Sequence, residues 1–162
     1  MKGDERVLVA RVREELKELE DIVSRAERLM AKARERGDED YLDGVALNLQ
    51  SFYTGVERIF ESIARDIDTS IPSGPEWHRD LLLQLSTELP GTRPAMIGRS
   101  LRNCLDEFRG FRHVVRNVYT FNLIPSRLQE LVSVLRPCYQ SLVDDVEAFC
   151  DFLVQLGEDC SS

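Results

Sequence analysis

The sequence predicts an all-α fold, an antiparallel helical bundle of four long helices with a short helix inserted. Apolar residues recur every three or four positions along most of the 162 residues, which is the spacing of one face of an α-helix. The sequence shows no alternating strand pattern, no NG-type hairpin signal and no internal repeat. The length suits one hydrophobic core, so we assign residues 1–162 to a single helical domain.

Two long helices at the start of the chain are predicted to form a hairpin. The first covers about 4–36 and the second about 39–66, with one short break between them. Gly37 suits a helix C-terminus and Asp38 a helix N-cap, so the break is a stop signal followed by a start signal. A connection this short favours antiparallel neighbours. The residues expected to be buried are Val9, Val12, Leu16, Leu19, Val23, Ala26, Met30, Leu42, Val45, Leu49, Phe52, Val56, Ile59, Ile63 and Ile67.

A short helix and a longer one follow, each after a loop. Residues 69–75 and 88–94 are rich in proline, glycine, serine and threonine, which indicates loops. The short helix covers about 75–87 and has a proline near its first turn, where the missing N–H costs little. The fourth helix covers about 95–118.

The last helix is predicted from about 126 to 156. Pro125 breaks the preceding helix, and Ser126 is the expected N-cap. Pro137 lies inside the helix and should kink it, because proline removes one backbone hydrogen bond. The residues expected to be buried are Leu128, Leu131, Leu135, Leu142, Val146, Phe149 and Leu153.

Composition and charge describe an acidic, soluble chain that we expect in the cytoplasm. The formal net charge is −8, and the first residues are charged without an apolar run, so we expect neither a signal peptide nor a membrane span. The 4 cysteines have no CxxC spacing, which favours reduced thiols over a metal site. An acidic total argues against non-specific DNA binding, but it leaves room for nucleic acid at one basic face.

One segment, 93–116, carries the opposite charge balance. It contains six arginines and no lysine against only Asp106 and Glu107. Arginine indicates recognition of phosphate or carboxylate, because the planar guanidinium presents a fixed fork of donors. A histidine, an asparagine and a tyrosine follow within one or two turns, so we expect any chemistry to lie here. The arginines are Arg93, Arg99, Arg102, Arg109, Arg112 and Arg116.

The fourth helix divides into two faces at 100° per residue. The apolar face consists of Cys104, Leu105, Phe108, Phe111, Val115 and Tyr119. The polar face consists of Arg102, Asp106, Arg109, His113, Arg116 and Asn117. Arg112 lies at the edge of the apolar face, where an arginine is costly unless it is paired or holds an anion. We expect either a structural pair with a carboxylate of a neighbouring helix, such as Asp144 or Glu147, or an anion site.

The stretch from Arg112 to Tyr119 resembles the motif of the HEPN superfamily, and within it of the HepT-like toxins. Members carry an arginine, a polar residue, a few variable residues, a histidine, one residue and a tyrosine. Arg112 matches the arginine, His113 the polar residue and Tyr119 the tyrosine, whereas Asn117 stands where the histidine is expected. Two further segments are similar to HepT-like proteins: the downstream FNLIPSRL and the upstream Trp77-His78 with Leu81-Leu82.

The resemblance implies a homodimer with a metal-independent ribonuclease site between the two motif helices. In that reading Arg112 stabilises the charge that develops on the phosphate, His113 moves protons and Asn117 orients the scissile phosphate. RNA contacts are expected from Arg102, Arg109 and Arg116, and no cofactor is expected. The resemblance also implies a nucleotidyltransferase antitoxin as partner, which attaches nucleotide to Tyr119.

Two other functions remain open at this point. Because asparagine is neither a general acid nor a general base, Asn117 also fits a catalytically degenerate subunit that binds a nucleotide or the nucleotidyltransferase. A structural scaffold in which Arg112 is merely paired is the third reading. Trp77 and His78 are expected to pack the short helix against the bundle.

Overall fold

The protein is an all-α bundle, as the sequence predicts. The computed structural model describes residues 5–117 and 123–160, and for residues 116 and 117 it describes the backbone alone. Within these residues, the secondary structure is helical apart from one isolated bridge between Leu89 and Arg93. The helices are α1 (Glu5–Arg36), α2 (Asp40–Ile63), α3 (Trp77–Leu85), α4 (Arg99–Asn117) and α5 (Pro125–Asp159).

The first two helices form the predicted antiparallel hairpin. Gly37 ends α1 with a left-handed backbone (φ 60°), a conformation that glycine adopts without strain. The predicted N-cap Asp38 is wrong by one position, because Glu39 is the N-cap of α2, although Asp38 Oδ1 accepts a hydrogen bond from the backbone N–H of Asp40 at 2.9 Å. At the far end of the hairpin Arg11 forms an ion pair with Asp66 at 2.9 Å. Every residue predicted to be buried in these two helices is buried.

The last helix, α5, runs antiparallel to α1 and is tied to it by ion pairs. Arg13 of α1 meets Glu147 of α5 at 3.0 Å, and Arg136 of α5 meets Glu27 of α1 at 2.6 Å. The predicted N-cap Ser126 is wrong, because Ile124 is the N-cap and Pro125 occupies the first helical turn, where its missing N–H is harmless. The helix continues through Pro137, and the kink there stays a prediction.

The fourth helix lies parallel to α2 rather than antiparallel to it. Phe52 of α2 contacts Phe108 of α4 edge-to-face at 5.3 Å, and the pairing advances in the same direction along both helices. The segment between them, which contains α3, carries the chain back so that α4 can start at the same end as α2. As a result α3 packs against both α2 and α4.

A buried ion pair fixes the two loops on either side of α3. After Ile63 the chain adds one wider helical turn, Ala64–Asp68, which places Asp68 in the interior. Arg93 of the second loop donates to both oxygens of Asp68, at 2.6 and 2.8 Å. It also donates to the carbonyl oxygens of Thr87, Pro94 and Gln84. The side chains of the pair are 0% and 1% exposed.

The structure also bears on the predicted absence of membrane spans and disulfides. Among the described residues, none of the helices combines the length and apolar character that crossing a bilayer requires. All four cysteines are free thiols, and Cys138 and Cys150 belong to the core.

Candidate functional site

A polar pocket of about 440 Å³ opens between α3 and α4. Three arginines and two histidines contribute to its wall, together with one glutamate, so positive charge predominates at the surface of the pocket. The lining residues are Pro75, Glu76, His78, Arg79, Arg109, Arg112 and His113. The structure therefore brings three of the predicted site residues, Arg109, Arg112 and His113, to one cavity.

Arg112 forms the floor of this pocket and is 4% exposed. Its Nη2 atom donates to both carboxylate oxygens of Glu57 at 2.9 Å, and its Nη1 atom donates to Thr54 Oγ1 at 3.2 Å. The guanidinium carbon lies 4.8 Å from the centre of the Tyr53 ring. A buried charge with these partners is stabilised by its pair and its hydrogen bonds.

The expected partners of Arg112, Asp144 and Glu147, are wrong. Both belong to α5, and Glu147 pairs instead with Arg13 of α1. The edge of α4 that carries Arg112 faces α2, so the carboxylate that it meets is Glu57. The general expectation of a paired arginine is nevertheless confirmed.

Glu57 joins Arg112 to His78. Its carboxylate is 4% exposed, and Oε2 lies 2.7 Å from His78 Nδ1. His78 Nδ1 also lies 2.9 Å from Arg112 Nη2. Glu57 only accepts and Arg112 only donates, so Nδ1 faces an acceptor at 2.7 Å and a donor at 2.9 Å. The shorter contact, to a carboxylate oxygen, favours a proton on Nδ1. With the proton on Nδ1, the second nitrogen, Nε2, carries the lone pair and can accept a proton in the pocket.

Tyr53 beneath this cluster is neutral. Burial, followed by the negative charge of Glu57, raises the pKa of Tyr53 well above its ordinary value, although Arg112 opposes the shift. Among the described residues its hydroxyl has no hydrogen-bond partner. Of Tyr53 and Glu57, therefore, only Glu57 provides negative charge opposite Arg112.

The rim of the pocket carries the accessible cations. Arg109 is half-buried, and its Nε atom donates to Asp106 Oδ1 at 2.7 Å. Arg79 lies one position after His78 on α3, and His113 is exposed on α4. An anion in the pocket would meet these side chains first and Arg112 beneath them.

The other predicted site residues do not add to the described pocket. Arg102 is half-buried on the same helix but does not contribute to the pocket lining. The side chains of Arg116 and Asn117, and the whole of Tyr119, lie outside the described residues. Their predicted roles stay predictions.

Sequence reasoning missed two members of the site and misread a third. Glu57 and Arg79 carry no motif, and His78 was expected only to pack the short helix. His78 does stack on Trp77 with ring centres 3.7 Å apart, so the packing interpretation describes one of its two contacts. The signal that was available is chemical: His78 is one of only 2 histidines, and it stands beside an arginine.

The helical bundle thus carries a cationic, histidine-bearing pocket on the helix whose sequence resembles the HEPN motif. A family model described as HepT-like protein matches residues 44–153, which is well over half of the chain. The chain belongs to the HepT-like family. No curated protein and no solved structure matches it. The matched span contains Glu57, His78 and Arg112, so the buried cluster lies in the part of the chain that defines the family.

Proposed function

We propose that this protein is a HEPN-type toxin that cleaves RNA at the pocket between α3 and α4. One observation carries the proposal: two histidines and three arginines lie around a single cavity. This combination supplies both parts of metal-independent phosphodiester cleavage, which are positive charge for the phosphate and imidazole for proton transfer.

The phosphate of the RNA would enter between Arg79 and Arg109. Both guanidinium groups line the open part of the pocket, and Arg112 adds positive charge at its floor. The whole chain has a net charge of −8, so attraction of RNA depends on this local field. We expect Arg102 and Arg116 to extend the RNA contact along α4.

Cleavage would follow the transesterification route. The 2′-hydroxyl attacks the adjacent phosphorus and the bond to the 5′-oxygen breaks, which leaves a 2′,3′-cyclic phosphate and a 5′-hydroxyl. His113 transfers a proton, Arg112 stabilises charge on the phosphate, and Asn117 orients it. Asn117 supplies hydrogen bonds only, because an amide does not exchange protons near neutral pH.

The proposal includes a homodimer that meets along the second half of α4. There an apolar groove of about 420 Å³ contains Gly110, Phe111 and Leu123. Val114 and Ile124 at its edge are 53% and 64% exposed, so they add apolar surface next to the groove. A second copy of the chain would cover this surface and set the two pockets close together.

The proposal also includes a nucleotidyltransferase antitoxin. Transfer of a nucleotide to Tyr119, two residues after Asn117, would add a bulky phosphate to the end of the motif. This partner follows from the family, and mass spectrometry of Tyr119 after incubation with the purified nucleotidyltransferase and ATP tests it.

RNA cleavage in EDTA tests the central claim. The wild type should cut a mixed-sequence RNA and leave 2′,3′-cyclic phosphate ends, and His113→Ala should be at least about 100-fold slower. His113 is exposed, so its replacement should leave the melting temperature unchanged. Arg25→Ala, an exposed arginine of α1, is the matched control and should keep full activity. A wild type that cuts no RNA overturns the ribonuclease proposal.

The Arg112–Glu57 pair favours a second candidate function. Arg112 is covered within one chain, which is what a non-catalytic subunit predicts. In that case the pocket binds a nucleotide or the nucleotidyltransferase without cleaving RNA. Isothermal titration calorimetry tests this function. It is supported if a wild type that cuts no RNA binds ATP or the nucleotidyltransferase, and it is contradicted if the wild type binds neither.

A further inference from the structure

We propose that His78, held by Glu57, is the catalytic base of this site and accepts the proton of the RNA 2′-hydroxyl. The inference rests on the proposed ribonuclease function and assigns its proton acceptor to α3, outside the motif helix. Transesterification needs a group that accepts the 2′-proton, and the amide of Asn117 cannot accept it. His78 would supply this missing proton acceptor.

The geometry around His78 is that of an oriented imidazole. Glu57 Oε2 lies 2.7 Å from Nδ1, within hydrogen-bond reach, and this contact orients the ring and favours the tautomer with its proton on Nδ1. Trp77 stacks on the ring at 3.7 Å and restricts its rotation. Nε2 is therefore left as the lone-pair nitrogen of a ring whose position is set from two sides.

Glu57 is held in turn, so the orientation does not depend on a mobile side chain. It is 4% exposed, and both of its oxygens accept a hydrogen bond from Arg112 Nη2 at 2.9 Å. Arg112 thus acts on the reaction through Glu57 as a positioning residue, in addition to its charge. A carboxylate in this position also stabilises the imidazolium that forms when His78 takes up a proton.

The charged groups that face His78 come from three parts of the fold. Glu57 of α2 and Arg112 of α4 lie on the Nδ1 side. The other titratable groups of the pocket wall belong to α3 with its preceding turn and to α4: Glu76, Arg79, Arg109 and His113. The RNA phosphate would lie among the last four groups.

The division of labour between the two histidines balances the reaction. His78 Nε2 takes the proton from the 2′-oxygen as that oxygen bonds to phosphorus. The phosphorus–5′-oxygen bond breaks at the same centre, and protonated His113 gives its proton to the departing 5′-oxygen. One proton is taken up and one is released, and no oxidant, metal or cofactor takes part.

The test compares His78→Gln with His113→Ala on two substrates. One is an RNA dinucleotide with its natural 5′-oxygen, and the other carries sulfur in place of that oxygen. A thiolate leaves without being protonated, so the sulfur substrate needs the base and not the acid. We expect His78→Gln to be slowed about 100-fold or more on both substrates, and His113→Ala on the natural substrate alone.

Two further measurements separate catalysis from folding. In the wild type kcat/KM for the sulfur substrate should depend on pH through the base, and His78→Gln should lose this dependence. Added imidazole should restore part of the activity of His78→Ala, which a purely structural role would not permit. As a folding control, the melting temperature of His78→Gln, whose amide can still donate to Glu57, should stay close to that of the wild type.

The outcomes separate this inference from the function on which it rests. A wild type that cleaves neither substrate overturns the ribonuclease and the base together. An active wild type whose His78→Gln variant keeps its rate and its pH profile overturns the base alone. If His78→Gln is slowed on the natural substrate but not on the sulfur substrate, His78 is the acid and not the base. This outcome also overturns the inference.

Discussion

Two buried arginine–carboxylate pairs, Arg93–Asp68 and Arg112–Glu57, come from the same arginine-rich segment and differ in what surrounds them. Arg93 donates through all five of its N–H groups, two of them to Asp68 and three to backbone carbonyl oxygens. Arg112 meets Glu57 and Thr54, and its pair extends to His78 at the edge of a pocket. We call Arg93–Asp68 the sealed pair, because its side chains are 0% and 1% exposed, and Arg112–Glu57 the open pair, because Arg112 lines a pocket.

The difference shows what each pair does. A guanidinium with every donor satisfied has nothing left to offer a ligand, so Arg93 serves the fold by holding the loops around α3. The open pair lies against a cavity and shares a contact with a titratable ring. Burial and ion pairing alone therefore do not distinguish a structural arginine from one in a functional site, whereas the neighbouring cavity does.

The largest effect is expected when the sealed pair is broken. Arg93→Met leaves Asp68 as a buried carboxylate without its partner, and we expect a loss of about 3 to 5 kcal/mol in the free energy of unfolding. Urea denaturation followed by circular dichroism measures the loss. Because the pair is closed to solvent, added phosphate should not restore stability.

The exposed Arg99 offers a matched control for this prediction. Arg99→Met removes an arginine of the same segment and should change the unfolding free energy by less than about 0.5 kcal/mol. If Arg93→Met costs no more than Arg99→Met, the pair does not hold the loops as described.

A smaller effect is expected at the open pair. Glu57→Gln leaves Arg112 without its carboxylate, but Arg112 borders a pocket that water or an anion can enter. We expect a loss of about 1.5 to 3 kcal/mol in the free energy of unfolding. Inorganic phosphate should restore part of this loss by binding to Arg112, since a ligand of the folded state stabilises it.

Chloride at the same ionic strength is the control for the phosphate effect. Recovery with phosphate in Glu57→Gln and none in Arg93→Met would support the contrast between the open and the sealed pair. Equal recovery in both variants, or in neither, would contradict it.

The smallest effect on stability is expected at Arg109. Its ion pair with Asp106 is partly solvated and lies within one helix, so Arg109→Met should cost less than about 0.5 kcal/mol. RNA binding should weaken, and the slope of log K against log salt should become shallower by about 0.7 for the lost phosphate contact. Fluorescence anisotropy with a labelled RNA measures both quantities, and the exposed Arg25→Met serves as control. An unchanged salt slope would place Arg109 outside the RNA contact.

Periodicity predicted the helices and their buried faces because these depend on local spacing. The hairpin break is also local: Gly37 ends the first helix as expected, whereas the N-cap of the second is Glu39 rather than Asp38. The predicted N-cap Ser126 lies two residues after the observed N-cap Ile124, because Pro125 can occupy the first turn of a helix as well as interrupt one.

The partner of Arg112 could not be predicted in the same way. A helical wheel gives the direction of a side chain but not the helix that lies opposite, and the parallel packing of α2 and α4 depends on the path of 69–98. Glu57 lies between Val56 and Arg58 on a long helix, where a carboxylate is typical of a solvated edge. Only the docking of α3 and α4 makes this position an interior one.

The cluster of Glu57, His78 and Arg112 determines when the site assembles during synthesis and folding. Its members are separated by 21, 34 and 55 positions, so none of these contacts forms within a single helix. Their assembly must wait until three helices have docked and the loop-closure entropy has been offset by core contacts. A chain still emerging from the ribosome has no such site before α4 has been synthesised, so any activity of the pocket begins only after release of at least that helix.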